Sequence, residues 1–188
     1  MSIREQKKLA TAQQIRSVAR ELFLSRGYEE TSVDEIARLA GVSRASLFNY
    51  YRGKAAILAG LAAELEPRLV KMVQHYQSKP LTTADKLLQL FAYSAKILEQ
   101  TSELTRLLFL RGGAEDFYDL AGAFHEMVVS GQRRGEVRLD LGAAELSQMA
   151  YLGFIASLLG WCRDETVPLT EQLGRRAKAI AVIFEPPV

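Results

Sequence analysis

The chain has 188 residues, of which 48% are hydrophobic and 24% are charged, the balance of an ordinary globular protein. It holds no run of about 18 to 20 apolar residues and its start carries no apolar signal core, so the sequence predicts neither a membrane span nor secretion. One cysteine and two histidines leave no disulfide framework and no metal-ligand spacing. We therefore expect a cytoplasmic protein with no metal and no cofactor.

The net charge of +2 is unevenly distributed along the chain. Residues 1–54 contain ten lysines and arginines against six acids, whereas residues 55–188 contain fourteen against sixteen. A basic segment joined to a mildly acidic body is typical of proteins that bind nucleic acid. The basic excess therefore points to the first third of the chain.

The apolar residues follow a helical period from the beginning of the chain. The first predicted helix covers 7–26 and is closed by Gly27. Ser32 and Glu35 have the spacing of a capping box, in which each side chain accepts a hydrogen bond from the other residue's backbone. This box begins a short helix that ends at Gly41, where a left-handed turn is easiest.

Helical spacing continues through the rest of the chain. Ser43 caps a helix over 44–51, and strand-like alternation is absent, because we interpret "GEVRLD" as a loop. The sequence therefore predicts an all-α fold of about nine helices. The remaining predicted helices are 55–78, 83–100, 103–111, 116–133, 142–162 and 169–184.

Residues 32–54 predict a helix-turn-helix, two short helices joined by a tight glycine turn. Ala37 lies where the helices cross and a larger side chain would separate them. Gly41 makes the turn, and Leu47 is the buried aliphatic residue of the second helix. Helical corners without a DNA role have the same spacing, and the local positive charge is what favours DNA here.

The segment "TSVDEIARLAGVSRASLFNYYRGKAAIL", after a helix ending in "LFLSRGY", closely resembles the DNA-binding domain of TetR/AcrR-type transcriptional regulators. It departs from the usual family pattern at Ala45, Phe48 and Tyr51, where glycine, tyrosine and phenylalanine are common. The resemblance is strong over residues 5–60, and beyond them it covers only helix count and lengths. It matches at Gly41, Val42, Ser43, Ser46, Leu47, Tyr50 and Lys54.

This resemblance implies an all-helical homodimer whose C-terminal body binds a small molecule and controls affinity for a DNA operator, usually as a repressor. It divides the chain into a DNA-binding domain over residues 1–53 and a ligand-binding and dimerisation domain over residues 54–188.

The second helix of a helix-turn-helix enters the major groove of double-stranded DNA. Helix geometry places Arg44, Ala45 and Phe48 on its outer face. We predict that Arg44 pairs with guanine and that Phe48 contacts a thymine methyl group. The other predicted DNA contacts, mostly to phosphates, are Thr31, Ser32, Ser43, Ser46, Asn49, Tyr50 and Lys54.

Two of these assignments have an alternative. Tyr50 also suits the core. Arg4, Lys7 and Lys8 are predicted to form a basic arm that reaches the DNA backbone or minor groove, and a disordered arm fits the same residues.

The C-terminal body is rich in aromatic residues, each of which also suits an ordinary helical core. We predict an apolar ligand site there, oriented by a few polar groups. The residues predicted to line it are His75, Tyr93, Phe109, Tyr118, His125 and Phe154.

The last two predicted helices carry small and apolar residues at three- and four-residue steps. Small residues let another helix approach closely, so two such helices from each protomer predict a four-helix interface about a two-fold axis. Packing within one chain is the alternative. The predicted interface residues are Ala150, Gly153, Ala156, Ser157, Gly160, Leu173, Ala177, Ile180 and Phe184.

The sequence therefore predicts a ligand-responsive DNA-binding regulator, a repressor released from a palindromic operator by a small apolar molecule. The predicted helix over 55–78 would transmit the effect of the ligand to the reading heads. The alternatives are a helical protein-binding adaptor and an all-helical enzyme. An enzyme is disfavoured because no nucleophile with its base, no paired carboxylates and no metal-ligand set can be placed.

Overall fold

The computed structural model describes residues 2–111 and 118–187. Every regular element within those two ranges is an α-helix, and the predicted all-α class is confirmed. The predicted start of one helix at residue 116 lies outside the described residues. The helices are α1 (Ile3–Arg26), α2 (Val33–Leu39), α3 (Arg44–Tyr50), α4 (Lys54–Ala62), α5 (Leu65–Gln77), α6 (Thr83–Gln100), α7 (Ser102–Arg111), α8 (Tyr118–Arg133), α9 (Ala143–Arg163) and α10 (Leu169–Phe184).

Helix α1 begins four residues earlier than the apolar pattern indicated. The Ser2 hydroxyl accepts from the amide of Glu5 at 3.2 Å, and the Ser2 amide donates to the Glu5 carboxylate at 2.6 Å, which makes a capping box. The basic residues predicted as an arm therefore lie in the first turns of a helix. Periodicity missed this start because the first apolar residue, Ile3, is 74% exposed and belongs to no stripe.

The single helix predicted over 55–78 is two helices, α4 and α5, and this part of the prediction was wrong. The last turn of α4 tightens, because the amide of Glu64 donates to the carbonyl of Leu61 at 3.2 Å. Pro67 gives the physical reason: in a continuous helix its ring would clash with the carbonyl of residue 63 and it would have no N–H to donate. Pro67 instead lies in the first turn of α5, where the missing N–H costs nothing.

The described chain forms two compact units. The first contains residues 2–64 and 107–111, and in it α1 packs against α2 and α4 while α2 packs against α3. Helix α4 belongs to this unit, so the break between α4 and α5 falls at the division. The fully buried residues of this unit include Ile15, Ile36, Leu47, Ile57 and Leu58.

The second unit contains residues 65–106 and 118–187. Helix α10 packs most extensively on α6, and α9 packs on both α8 and α10. Three buried phenylalanines from three helices meet at its centre: the Phe91 ring lies 5.3 Å from the Phe154 ring and 6.2 Å from the Phe124 ring, both edge to face. Among the described helices, none is long and apolar enough to cross a membrane.

A polar cluster fastens the loop after α8 to the start of α6. The Glu136 carboxylate accepts from the Thr83 amide at 2.8 Å and hydroxyl at 2.7 Å, and from Arg134 Nε at 2.8 Å. The Arg134 guanidinium, with help from Thr83, lowers the pKa of Glu136 from 4.5 to about 2. The ionised form of Glu136 therefore stabilises the second unit.

Replacement of Glu136 by glutamine is expected to lower the free energy of unfolding by about 2 kcal/mol near pH 7. Since the folded-state pKa lies below the ordinary value, this stabilisation is complete above about pH 4.5 and is lost as the pH falls toward 2. Urea unfolding of both proteins from pH 7 to pH 2.5 should show two curves that converge at acid pH. Glu126→Gln, which removes an exposed carboxylate of α8, is the control; a constant gap between wild type and Glu136→Gln would contradict the assignment.

Candidate nucleic-acid interface

The turn between α2 and α3 is built by its capping residues. Ser32 caps α2 by accepting from the Glu35 amide at 3.1 Å, and Ser43 caps α3 by accepting from the Ser46 amide at 3.0 Å. Gly41 between them has a φ of 69°, the left-handed conformation that glycine adopts without strain. The second half of the predicted capping box is absent, because the Glu35 carboxylate binds the Arg26 guanidinium instead.

Apolar side chains hold α2 and α3 in a fixed relation. Ile36 and Leu47 are fully buried and Ala37 is 2% exposed, as the helix-turn-helix spacing predicted. Tyr51 is half-buried, and its hydroxyl accepts a hydrogen bond from Arg16 Nη1 at 2.5 Å. The outer face of α3 therefore projects from a rigid support.

That outer face presents the three residues predicted to meet DNA bases. Arg44, Ala45 and Phe48 are all exposed, the Arg44 side chain by 64%. The centre of the Arg44 guanidinium lies 5.6 Å from the centroid of the Phe48 ring, and its Nη1 donates to both carboxylate oxygens of Asp34 at 2.8 and 2.6 Å. Arg44 and Phe48 thus form one surface, to which Asp34 of α2 contributes.

A groove of about 570 Å³ lies between the start of α1 and the side of α3. Three basic side chains stand on the α1 wall, and polar groups of α3 stand opposite. Such a groove suits a phosphate backbone, because cations neutralise the phosphates while hydroxyl and amide groups donate to them. Its lining residues are Arg4, Lys7, Lys8, Thr11, Val42, Ser46, Asn49 and Tyr50.

Two predicted DNA contacts are placed elsewhere. Thr31 is 2% exposed and its hydroxyl donates to the carbonyl of Gly27 at 2.8 Å, so it closes the α1–α2 connection. The Lys54 ammonium donates to the carbonyls of Tyr28 at 2.5 Å and Glu29 at 3.0 Å, and lies 4.5 Å from the centroid of the Tyr28 ring. We therefore correct both predictions: these side chains hold the connection rather than extend toward a phosphate.

Residues 15–61, which run from α1 into α4, match the sequence model described as "Bacterial regulatory proteins, tetR family". The chain belongs to the TetR family. It is a DNA-binding transcriptional regulator and not an enzyme.

One similar relative is the Mycobacterium tuberculosis (strain ATCC 25618 / H37Rv) protein named "Putative mycofactocin biosynthesis transcriptional regulator MftR", which is 28% identical over 179 residues, 87% of this chain and 86% of the relative. FadR from Bacillus subtilis, solved with stearoyl-CoA, has a TM-score of 0.72 at 18% identity, covering 91% of this chain and 98% of that one. Thermus thermophilus FadR, a TetR-family repressor solved with lauroyl-CoA, has a TM-score of 0.71 at 27% identity, covering 90% and 92%.

The second unit of this TetR-family chain does not gather the six predicted ligand residues in one place. His75 and Tyr93 are exposed and flank Tyr76, at ring separations of 5.5 and 6.2 Å. Tyr118 and His125 line an open groove of about 340 Å³ between α8 and α9.

The other two residues are buried. Phe154 belongs to the central phenylalanine cluster, and Phe109 is 7% exposed and falls in the first unit. No single site formed by all six exists, because helical period gives the face of each residue but not which faces meet.

Most of the predicted dimer residues are already covered within their own chain, so they cannot supply the interface as predicted. Small residues do permit close helix packing here, but the approaching helix is α10 of the same chain. A Cβ on Gly153 would lie 3.1 Å from atoms of Arg176 and Ile180. The remaining three, Gly153, Ala156 and Gly160, reach the surface, while the buried six are Ala150, Ser157, Leu173, Ala177, Ile180 and Phe184.

Proposed function

We propose that this TetR-family chain is a homodimeric repressor that binds a palindromic operator through α3 of each protomer and leaves it when a small apolar molecule binds the second unit. The observation that carries the proposal is the exposed Arg44–Phe48 face beside a basic groove. The face offers donors and an apolar ring to base edges, and the groove offers cations to the adjacent phosphates.

A dimer fits a different face of α9 and α10 from the one predicted. The two helices run antiparallel, since Gly153 lies against Arg176 whereas Gly160 lies near Gln172. Their outer sides therefore form one continuous surface. Apolar residues on it are exposed without a partner chain, and a second copy of the same surface would cover them in a four-helix arrangement. They are Met149, Leu152, Ala156, Ala179 and Val182.

A long-chain acyl-CoA is the first effector to consider. FadR proteins of similar fold were solved with stearoyl-CoA and lauroyl-CoA. In this chain the interior of the second unit is apolar and aromatic around Phe91, Phe124 and Phe154. An acyl chain needs such surroundings, whereas its charged CoA portion needs an opening to solvent.

Selection of bound duplexes from a random pool tests the DNA part of the proposal. We expect a palindrome whose half-sites are about one helical turn, roughly 34–36 Å, apart. Arg44→Ala should lose about ten-fold of the preference at one position in each half-site, because one paired guanine contact is removed. Arg52→Ala, which removes an exposed cation just after α3, should weaken all duplexes alike.

The selected duplex also tests the effector. Stearoyl-CoA should release the protein from it, and free CoA should not. Recovery of no preferred duplex, or of the same preference with Arg44→Ala, would contradict the DNA assignment.

A further inference from the structure

Asp34 and Arg44 form an ion pair across the helix-turn-helix, at the surface proposed to read DNA. Asp34 lies in the first turn of α2 and Arg44 is the first residue of α3. The two side chains are 61% and 64% exposed, yet both Asp34 oxygens accept from one nitrogen of Arg44, Nη1, at 2.6 and 2.8 Å. The Phe48 ring lies 5.6 Å from the guanidinium centre and gives it a second contact.

This pair adds little to stability, because solvent screens exposed ion pairs and the net gain is about 0–1 kcal/mol. Its main consequence is orientation. A free arginine side chain has about 2 kcal/mol of rotamer entropy, part of which it loses on docking against a base. A guanidinium already fixed by a carboxylate and an aromatic ring has lost part of that freedom before DNA arrives.

The orientation leaves the useful edge of the guanidinium open. Asp34 engages only Nη1. The Nε and Nη2 groups on the other edge are two adjacent donors. Guanine presents two adjacent acceptors, O6 and N7, in the major groove. Asp34 and guanine can therefore bind Arg44 at the same time, on different edges.

We propose that Asp34 is a positioning residue that sets base specificity: it holds Arg44 so that the Nε and Nη2 edge meets guanine. The inference rests on the proposed DNA-reading role of α3. It gives a result that simple charge does not. Removal of any acid near DNA strengthens binding to all duplexes, whereas loss of positioning lowers the discrimination between right and wrong bases.

The test compares two duplexes, the selected operator and the same duplex with the Arg44-dependent guanine replaced in each half-site. Asp34→Ala should lower the ratio of their dissociation constants about five-fold, while affinity for the altered duplex is unchanged or higher. Glu30→Gln, which removes an exposed acid just before α2, should leave the ratio unchanged. In an Arg44→Ala background, Asp34→Ala should have no further effect on the ratio, since positioning acts only through Arg44.

The inference is overturned if Asp34→Ala keeps the wild-type ratio, or if it lowers the ratio equally in the Arg44→Ala background. Asp34→Asn provides a second variant should the alanine protein not fold, and urea unfolding of each protein establishes which of them is usable. If wild type discriminates between the duplexes and Arg44→Ala does not, the proposed function stands whichever way Asp34 behaves. If wild type itself shows no preference, the proposed function has failed.

Discussion

Lys54→Met is expected to lower the free energy of unfolding of the first unit by about 2 to 3 kcal/mol. Methionine keeps the length and the apolar stem but removes an ammonium that donates to the carbonyls of Tyr28 and Glu29. Hydrogen bonds to a charged donor are each worth about 1.5–3 kcal/mol, and the contact with the Tyr28 ring adds about 0.5–1 kcal/mol. The Lys54 side chain is only 21% exposed, so water replaces these contacts incompletely.

Lys7→Met separates this role from a phosphate contact. Lys7 is exposed on α1 and lines the groove beside α3, so its loss should weaken binding to every duplex and lower the salt dependence, with stability unchanged. Lys54→Met should show the reverse in urea unfolding: a lower midpoint first, and weaker DNA binding only as a result. If Lys54→Met lowered the salt dependence at unchanged stability, the phosphate role predicted from sequence would be restored and the structural role rejected.

The helix-turn-helix could be predicted because its determinants lie within a few positions of one another. Gly41 permits the turn, Ser43 caps the helix three residues before its bonding partner, and Leu47 lies on the helical face that this start dictates. Each of these is a local property of backbone and side chain. The structure confirms their places because no distant residue competes with them.

Lys54 and Asp34 were beyond such reasoning because their partners are remote in sequence. Lys54 bonds residues 25 and 26 positions earlier, and Asp34 bonds a residue ten positions later on another helix. Proximity to the reading helix alone suggested a phosphate for Lys54. A lysine whose ammonium finds two carbonyls and a tyrosine ring within its own unit satisfies all its donors without DNA.

The break between α4 and α5 did have a sequence signal, Pro67, which the continuous apolar stripe from Ile57 to Leu65 outweighed in the prediction. Glu64, at the break, accepts from Arg16 at 2.6 Å and Arg20 at 3.2 Å, both on α1. The end of α4 is thus tied to α1 by charge as well as by packing. A continuous helix as the route from ligand to DNA is therefore replaced by a jointed one.

The dimer prediction failed for a reason of the same kind. A stripe of small residues shows that some helix approaches closely, but it does not identify that helix. In this chain α10 takes the place, and the surface left for a partner is the apolar outer side of α9 and α10. Leu152 is 49% exposed at its centre.

Leu152→Arg is accordingly expected to convert the protein to a monomer of one 20.9 kDa chain and to weaken operator binding by 100-fold or more. Two arginines, one from each protomer, would meet or lie close together at a two-fold axis, where desolvation and like charge both oppose association. A monomer contacts only one half-site and loses the gain from linking two reading heads, a factor of about 10²–10⁴. Sedimentation and operator binding measure the two effects separately.

Tyr93→Arg, an equally exposed position on α6, controls for the added charge and should remain dimeric. Because Leu152 is not part of the monomer core, helical content and the stability of the isolated chain should be retained in Leu152→Arg. A Leu152→Arg protein that stayed dimeric would place the partner surface elsewhere. Half-site spacing in the selected operator then decides independently, since a spacing of one helical turn requires two reading helices held about 34–36 Å apart by whichever surface joins them.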